Sequence, residues 1–326
     1  MLLKLSMDEN YYLLPAQVAS MYYEQELIQT EIGAKLGLSR VKVYRLLKQA
    51  KENQIVQIRI NWPLERNAQL EQALKQHFGL LEAFVLKTTA SKNAAPLLSR
   101  LGELGARYLE QTLKDGMTLA ICMGRSTYEV IQAISPDFQS HVCVAQAAGS
   151  IPFSVQELDS RALARQLAEK LGGDVLYLSS PLIADNIEAA NVLRNLQEIK
   201  RTLTTASQAD VALVGIGNLD PQISGFVKAG CITPDVLAAL TADGAAGDMA
   251  GQFFTLSGET HSSEYNQRII GITLDDLRTI PVVIAVAAGR EKATAILGAL
   301  RTRAIKVLCT DDRAAREVLR LERVLG

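Results

Sequence analysis

Residues 29–51 read QTEIGAKLGLSRVKVYRLLKQAK, and this stretch decides how the amino-terminal part of the chain folds. From Ser39 to Lys51 it carries Arg40, Lys42, Arg45, Lys48 and Lys51 and no acidic residue. Val43, Leu46, Leu47 and Ala50 recur at i, i+3, i+4 and i+7. A helix over this segment has one buried stripe and one cationic stripe. Upstream, Ile32 and Leu36 lie one turn apart on a shorter helix, and Gly37 suits a tight exit from it. Ser39 is the expected N-cap of the basic helix, and Lys42 three residues on rules out a capping box. A short helix, a Gly-Leu turn and a cationic helix form the helix-turn-helix pattern, in which one side packs inward and the other lies along a polyanion in the major groove. Lys42, Arg45 and Gln49 share a face. With Ser39 and Arg40 at the helix start they are the candidates for DNA contact, and Gln29 and Thr30 are candidates for phosphate.

Around this motif, Pro15 suits the first turn of an earlier helix whose apolar side is Val18, Ala19, Tyr22 and Tyr23. Ile55–Ile60 (IVQIRI) reads as a short strand and a candidate wing. Asn61-Trp62-Pro63 breaks the pattern and marks a linker. The expected division is therefore a domain over residues 1–61 and a second over 62–326. Glu65–Phe78 then reads as an amphipathic helix with Leu70, Ala73, Leu74, His77 and Phe78 on one side. A dimerising coiled coil and packing onto the following domain both satisfy that pattern.

From Glu82 onward, apolar β-branched runs alternate with amphipathic stretches. Strands are expected at Phe84–Lys87, Met117–Cys122, His141–Gln146, Val175–Leu178, Val211–Ile216, Val282–Ala287 and Lys306–Thr310. Helices are expected between them, among them Leu97–Leu113, Leu158–Leu171, Lys292–Leu300 and Ala314–Leu321. The fold class is α/β: an all-α helix-turn-helix domain followed by a mostly parallel sheet covered on both faces. A chain of 326 residues, 48% of them apolar, is long enough for two such domains. The formal net charge of −1 means that any nucleic-acid affinity comes from a local patch, and residues 39–51 supply one. Four cysteines are scattered without a CxxC or Cys/His cluster, and Cys122, Cys143 and Cys309 read as small buried hydrophobes. The N-terminal MLLKLSMDENYYLL lacks the parts of a signal peptide, and no apolar run reaches the ~20 residues of a membrane helix. A reducing, cytoplasmic setting and no membrane partner are expected.

In open α/β sheets, ligands bind beyond the carboxyl ends of the strands. Gly124-Arg125-Ser126-Thr127 opens a helix after one strand, where glycine, hydroxyls and helix N–H groups suit an anion. Gln146-Ala147-Ala148-Gly149-Ser150 and Gly215-Ile216-Gly217 follow two others. Gly289-Arg290-Glu291-Lys292 brings a lysine to a further helix start. In Asp243-Gly244-Ala245-Ala246-Gly247-Asp248, small residues precede a carboxylate suited to sugar hydroxyls, although a flexible loop with a capping Asp reads equally well. Each of these turns also has an ordinary reading as a capped or solvated loop. His77 and His141 belong to no catalytic constellation, and His261 in GETHSSE reads as a surface residue. With no nucleophile, metal-ligand or phosphate-loop motif, no catalytic residue, metal or cofactor is expected.

These residues resemble the SorC family of bacterial sugar-responsive transcriptional regulators over nearly the whole chain. QTEIGAKLGLSRVKVYRLL resembles the family's DNA-binding segment. ADVALVGIGNLD, GAAGDMAGQFF, IIGITLDDL and VAAGREKATAILGAL match its carboxyl-terminal part in order and spacing. The resemblance implies an effector domain similar to sugar-phosphate isomerases and CoA transferases, a homotetramer, and control of a carbohydrate-utilisation operon. The partners it implies are double-stranded operator DNA and a phosphorylated sugar effector. Family effector positions carry over to Gly124, Ser126, Gly149, Asp248 and Lys292, with the glycine turns and Lys292 on phosphate and Asp248 on sugar hydroxyls. There are departures. Ile28 stands where the family commonly has a capping Thr, so either Thr30 serves instead or the helix end is weaker. Arg125 replaces a hydroxyl residue and either adds a bidentate phosphate contact or fills the site and changes the ligand. Thr255 stands where an Asp often follows the paired Phe, and Ala147-Ala148-Gly149 carries no lysine for an imine. A phosphosugar-processing enzyme is the competing expectation, and a general base at a strand end would distinguish it.

Overall fold

The computed structural model describes residues 5–53, 55–56, 64–88, 96–151 and 158–325, with only the backbone of 5–11 and 325. The chain divides into two compact units, Met1–Trp62 and Pro63–Gly326.

The first unit holds α1 (Leu5–Tyr23), α2 (Gln29–Leu36) and α3 (Arg40–Glu52). Their shared core is Val18, Ala19, Met21, Ile32, Val43, Leu46, Leu47 and Ala50. The four α3 positions in it are those of the apolar stripe. α1 includes Leu5–Tyr23, so Pro15 lies inside the helix rather than in its first turn. Thr30 lies inside α2 and does not cap it. Ile28 is the N-cap of α2 and offers no side-chain acceptor. Instead Glu31 reaches back to accept from the Ile28 N–H at 3.0 Å, which satisfies one orphan donor of the helix start. Gly37 takes the left-handed conformation (φ 66°) that ends α2. Ser39 Oγ accepts from Lys42 N at 3.2 Å, as an N-cap should. The turn is tight: a Cβ on Gly33 would stand 2.5 Å from the Leu38 carbonyl oxygen. Ile55 and Val56 form a bend against this core rather than a strand, and residues 57–60 of the candidate wing lie outside the described residues, as do 61–63 of the expected linker.

In the second unit α4 (Ala68–Phe78) leads to β1 (Glu82–Leu86), α5 (Leu97–Thr112), β2 (Thr118–Ile121), α6 (Arg125–Ala133) and β3 (Cys143–Gln146). Then follow α7 (Ser160–Leu171), β4 (Asp174–Leu176), α8 (Ile187–Asn195), α9 (Gln197–Ser207), β5 (Val211–Gly215), α10 (Gly225–Lys228) and α11 (Pro234–Ala242). The chain ends with β6 (Ala245–Met249), β7 (Gln252–Thr255), α12 (Glu264–Arg268), α13 (Leu274–Thr279), β8 (Val282–Val286), α14 (Ala293–Arg301), β9 (Val307–Asp311) and α15 (Asp312–Leu325).

The main sheet runs β1-β9-β8-β5-β2-β3-β4, and each of its pairings is parallel. Alternation along its strands feeds two cores. Leu119, Ile121, Val144, Leu213, Ile284 and Val286 face α5, α6 and α7. Ala120, Ala145, Ala212, Val214 and Ala285 face the other way, toward α9, α13, α14 and α15. α4 joins this second layer through Leu74, so its apolar side packs within the unit and is not spare for a coiled coil. Cys122 and Cys309 are buried, and burial pushes both thiols up to about 12. Arg66 and Glu71 form a bidentate pair (2.7 and 2.9 Å), and Glu71 also accepts from Val85 N at 2.9 Å, tying the start of the unit to β1. Among the described residues no helix is long and apolar enough to cross a membrane.

Candidate functional site

Strand order fixes where a crevice must open. From β2 the chain moves outward through β3 to β4; from β5 it moves outward the opposite way through β8 to β9. The switch point lies at the carboxyl ends of β2 and β5, the position where open α/β sheets bind ligands. The turns after these strands are Gly124–Ser126 and Gly215–Gly217. They approach each other: a Cβ on Gly215 would stand 3.9 Å from the Ser126 Cβ.

The hairpin β6–β7 supplies the third side. It was not expected as a strand pair; 243–248 read equally as a loop. Its Asp248 exchanges backbone hydrogen bonds with Gly217, at 2.9 Å from Gly217 N and 3.2 Å from Asp248 N. A Cβ on Gly217 would stand 1.8 Å from Asp248 Oδ1, so any side chain there would displace the carboxylate. The Asp248 carboxylate has no hydrogen-bond partner among the described residues. Its enclosure pushes the carboxyl up to about 7, against the pull of Lys292. Lys292 comes from the 3-10 turn Arg290–Lys292 that precedes α14, and its Nζ donates to the Ile216 carbonyl at 2.7 Å. Burial lowers its pKa, with Asp248 and Glu291 opposing. Asp311 at the end of β9 is fully buried and accepts from Gly289 N at 2.6 Å and from Arg313 N at 3.0 Å. It holds the Gly289 turn from which Lys292 reaches the crevice. Asp311, and Asn218 (7% exposed) beside Gly217, escaped the sequence reading. A carboxylate between a strand and a helix start was the available signal for Asp311, and an amide directly after GIG for Asn218.

Gly124 caps α6 at φ 133° and accepts from Thr127 Oγ1 at 2.7 Å. Ser126 is buried beside it. Arg125 is exposed and turned along the helix, pairing with Glu129 at 3.0 Å. Gly149 is buried between two backbones: its N–H donates to Ile270 O at 2.8 Å, and a Cβ would stand 2.3 Å from Pro181 O. The structure thus brings Gly124, Ser126, Asp248 and Lys292 to the two strands of the switch point, while Gly149 has a packing reason of its own. His261 is 2% exposed, not a surface residue. Nε2 lies 3.1 Å from Asp243 O and Nδ1 accepts from Ser263 N, so both ring nitrogens are used structurally. Among the described residues no group of His, Cys, Asp or Glu is arranged to hold a metal ion.

In the first unit, Arg40, Lys42 and Arg45 are exposed and none pairs with an acid among the described residues. Lys48 pairs with Glu52 at 3.5 Å, and Lys51 lies 5.9 Å from the Tyr23 ring centre. Gln29 and Gln49 are half-buried; Thr30 and Ser39 are exposed.

The profile of a sugar-binding domain family matches residues 63–320. The deoxyribonucleoside regulator of Bacillus subtilis (strain 168) is 32% identical over 313 residues, covering 96% of this chain and 99% of the relative. The transcriptional regulator LsrR of Enterobacter sp. (strain 638) is 32% identical over 314 residues, covering 94% and 93%. The crystal structure of the full-length sorbitol operon regulator SorC from Klebsiella pneumoniae matches with a TM-score of 0.70 at 29% identity, covering 95% of this chain and 99% of that one.

Proposed function

The chain belongs to the sugar-binding domain family of transcriptional regulators, and on that premise we propose that it is a DNA-binding regulator whose operator affinity is set by a phosphorylated sugar. In this reading residues 1–61 form the helix-turn-helix domain and 62–326 the effector and oligomerisation domain, which resembles sugar-phosphate isomerases and CoA transferases. The observation that carries it is that Arg40, Lys42 and Arg45 of α3 are exposed and pair with no acid among the described residues, while the apolar stripe of the same helix is buried. Arg40, Lys42 and Arg45 would meet phosphates and guanine edges, Gln49 an adenine edge, Ser39 the backbone near the helix start, and Gln29 and Thr30 phosphates at the start of α2.

At the switch point, the Gly124–Ser126 turn at the start of α6 and the Lys292 ammonium would take the phosphate, and Asp248 would accept from sugar hydroxyls. Gly149 would shape the wall. Arg125 would join only by leaving Glu129. Binding of the sugar changes operator affinity only if the two arrangements of a homotetramer bind it differently. The regulated genes would be a carbohydrate-utilisation operon in the cytoplasm. The position of Asp248 beside the turn after β5, where desolvation raises its carboxyl, favours a second reading, a phosphosugar-processing enzyme with Asp248 as its general base.

The test is a gel shift of the upstream region of its own gene cluster, run with a panel of sugar phosphates, with product analysis of the same mixtures. Retardation that one sugar phosphate alters, without product, supports the regulator. Product at enzymatic rates, or no retardation, contradicts it.

A further inference from the structure

The outward face of α3 carries two side chains that phosphate attraction does not explain. Val41 is 61% exposed and Tyr44 is 58% exposed. At 3.6 residues per turn, Val41 neighbours Tyr44 at i+3 and Arg45 at i+4, with Lys48 at i+7. The face directly across from Val43, Leu46, Leu47 and Ala50 is therefore Val41, Arg45, Lys48 and, in the last turn, Glu52, which pairs with Lys48; Tyr44 flanks it. Lys42 and Gln49 lie to one side of it.

An exposed valine in a helix has a poorer propensity than the Lys, Glu or Gln that usually occupy such positions. Neither Val41 nor Tyr44 belongs to the core of its own unit. Both sit among Arg40, Lys42, Arg45 and Lys48, so the surface they complement is polyanionic overall yet apolar at a point. In the major groove of a duplex, the apolar group that base pairs present is the C5-methyl of thymine.

Resting on the reading that α3 enters the groove, we infer that Val41 and Tyr44 read thymine methyl groups and so set part of the operator sequence. The half-site then carries A·T pairs beside the position contacted by Arg45, and specificity there comes from apolar contact rather than hydrogen bonding.

The experiment uses the full chain and the duplexes it selects from a randomised pool. Each thymine of a selected duplex is replaced singly by deoxyuridine, which removes the methyl and leaves every hydrogen-bonding group. The expected result is a three- to fivefold loss of affinity at one or two positions per half-site, the worth of one buried methyl. Val41→Ala abolishes the loss at one position, Tyr44→Ala at the other, and Val41→Ile keeps it. Exposed positions leave the thermal melt of these variants near that of the parent, which separates reading from folding. A flat deoxyuridine scan, a pool without sequence preference, or a loss that persists in both alanine variants overturns the inference. Lys42→Ala and Arg45→Ala distinguish the two levels. If they weaken binding while the scan is flat, only the methyl reading fails. If they leave binding untouched, the groove reading fails with it.

Discussion

Gly217 and Asp248 are locked to each other: their backbones exchange two hydrogen bonds, and there is no room for a Cβ on Gly217 beside the Asp248 carboxylate. The contact joins the turn after β5 to a hairpin about thirty residues away, and it sets a carboxylate of the crevice that lacks a hydrogen-bond partner among the described residues. Gly217→Ala must push Asp248 out of place. The expected outcome is a loss of effector affinity of about tenfold or more, roughly 1.4 kcal/mol, with DNA binding in the absence of effector preserved. Calorimetric titration and a gel shift read the two separately.

Asp248 also makes the crevice sensitive to pH. Its carboxyl is raised from 3.8 to about 7, first by desolvation. Between those values the folded chain holds a proton that the unfolded chain has released, so stability falls as pH rises through that window. Asp248→Asn removes this fall, which urea midpoints at pH 5 and pH 8 measure. A sugar hydroxyl donates to the ionised form, so effector affinity rises from about pH 6 to pH 8, and the rise is smaller in Asp248→Asn.

Lys292 is held by the Ile216 carbonyl at 2.7 Å, close to where the proposed phosphate sits. Lys292→Met keeps the stem and removes the charge. It should weaken a phosphorylated sugar by about tenfold or more and leave the non-phosphorylated sugar nearly unaffected, a contrast that thermal-shift titration resolves.

These expectations show what was legible in the sequence. The seven strands of the main sheet lie within about two residues of where β-branched runs put them, because parallel strands covered on both faces are apolar along most of their length. The α3 stripe was legible for the same reason: Val43, Leu46, Leu47 and Ala50 have one period and one face. The hairpin β6–β7 was not. AAGDM has no alternating pattern, and its register shifts between Ala245 and Gly247. The meeting of Asp248 with Gly217 depends on that hairpin, so sequence named the residue without its neighbour. Arg125 shows the reverse: its residue type suits phosphate, but Glu129 one turn on offers a partner that local sequence reading did not weigh. His261 looked solvated by its polar neighbours, and tertiary contacts with Asp243 and Asn266 bury it.

The clamp at the start of the second unit gives a stability prediction. Glu71 satisfies both Arg66 and the buried Val85 N–H. Glu71→Ala leaves both without their acceptor and should cost on the order of 1–3 kcal/mol. Glu71→Gln, which keeps one acceptor, should cost less. Urea unfolding of the full chain orders the three proteins.

In the proposed regulator α3 meets a duplex through Arg40, Lys42 and Arg45, which pair with no acid among the described residues. The most direct measurement is the salt dependence of duplex binding for the parent and for Lys42→Ala with Arg45→Ala. Each phosphate contact contributes about 0.9 to the slope of log affinity against log salt. The double variant should bind more weakly, with a slope shallower by up to about 2. Equal affinity and equal slope in the two proteins would contradict it.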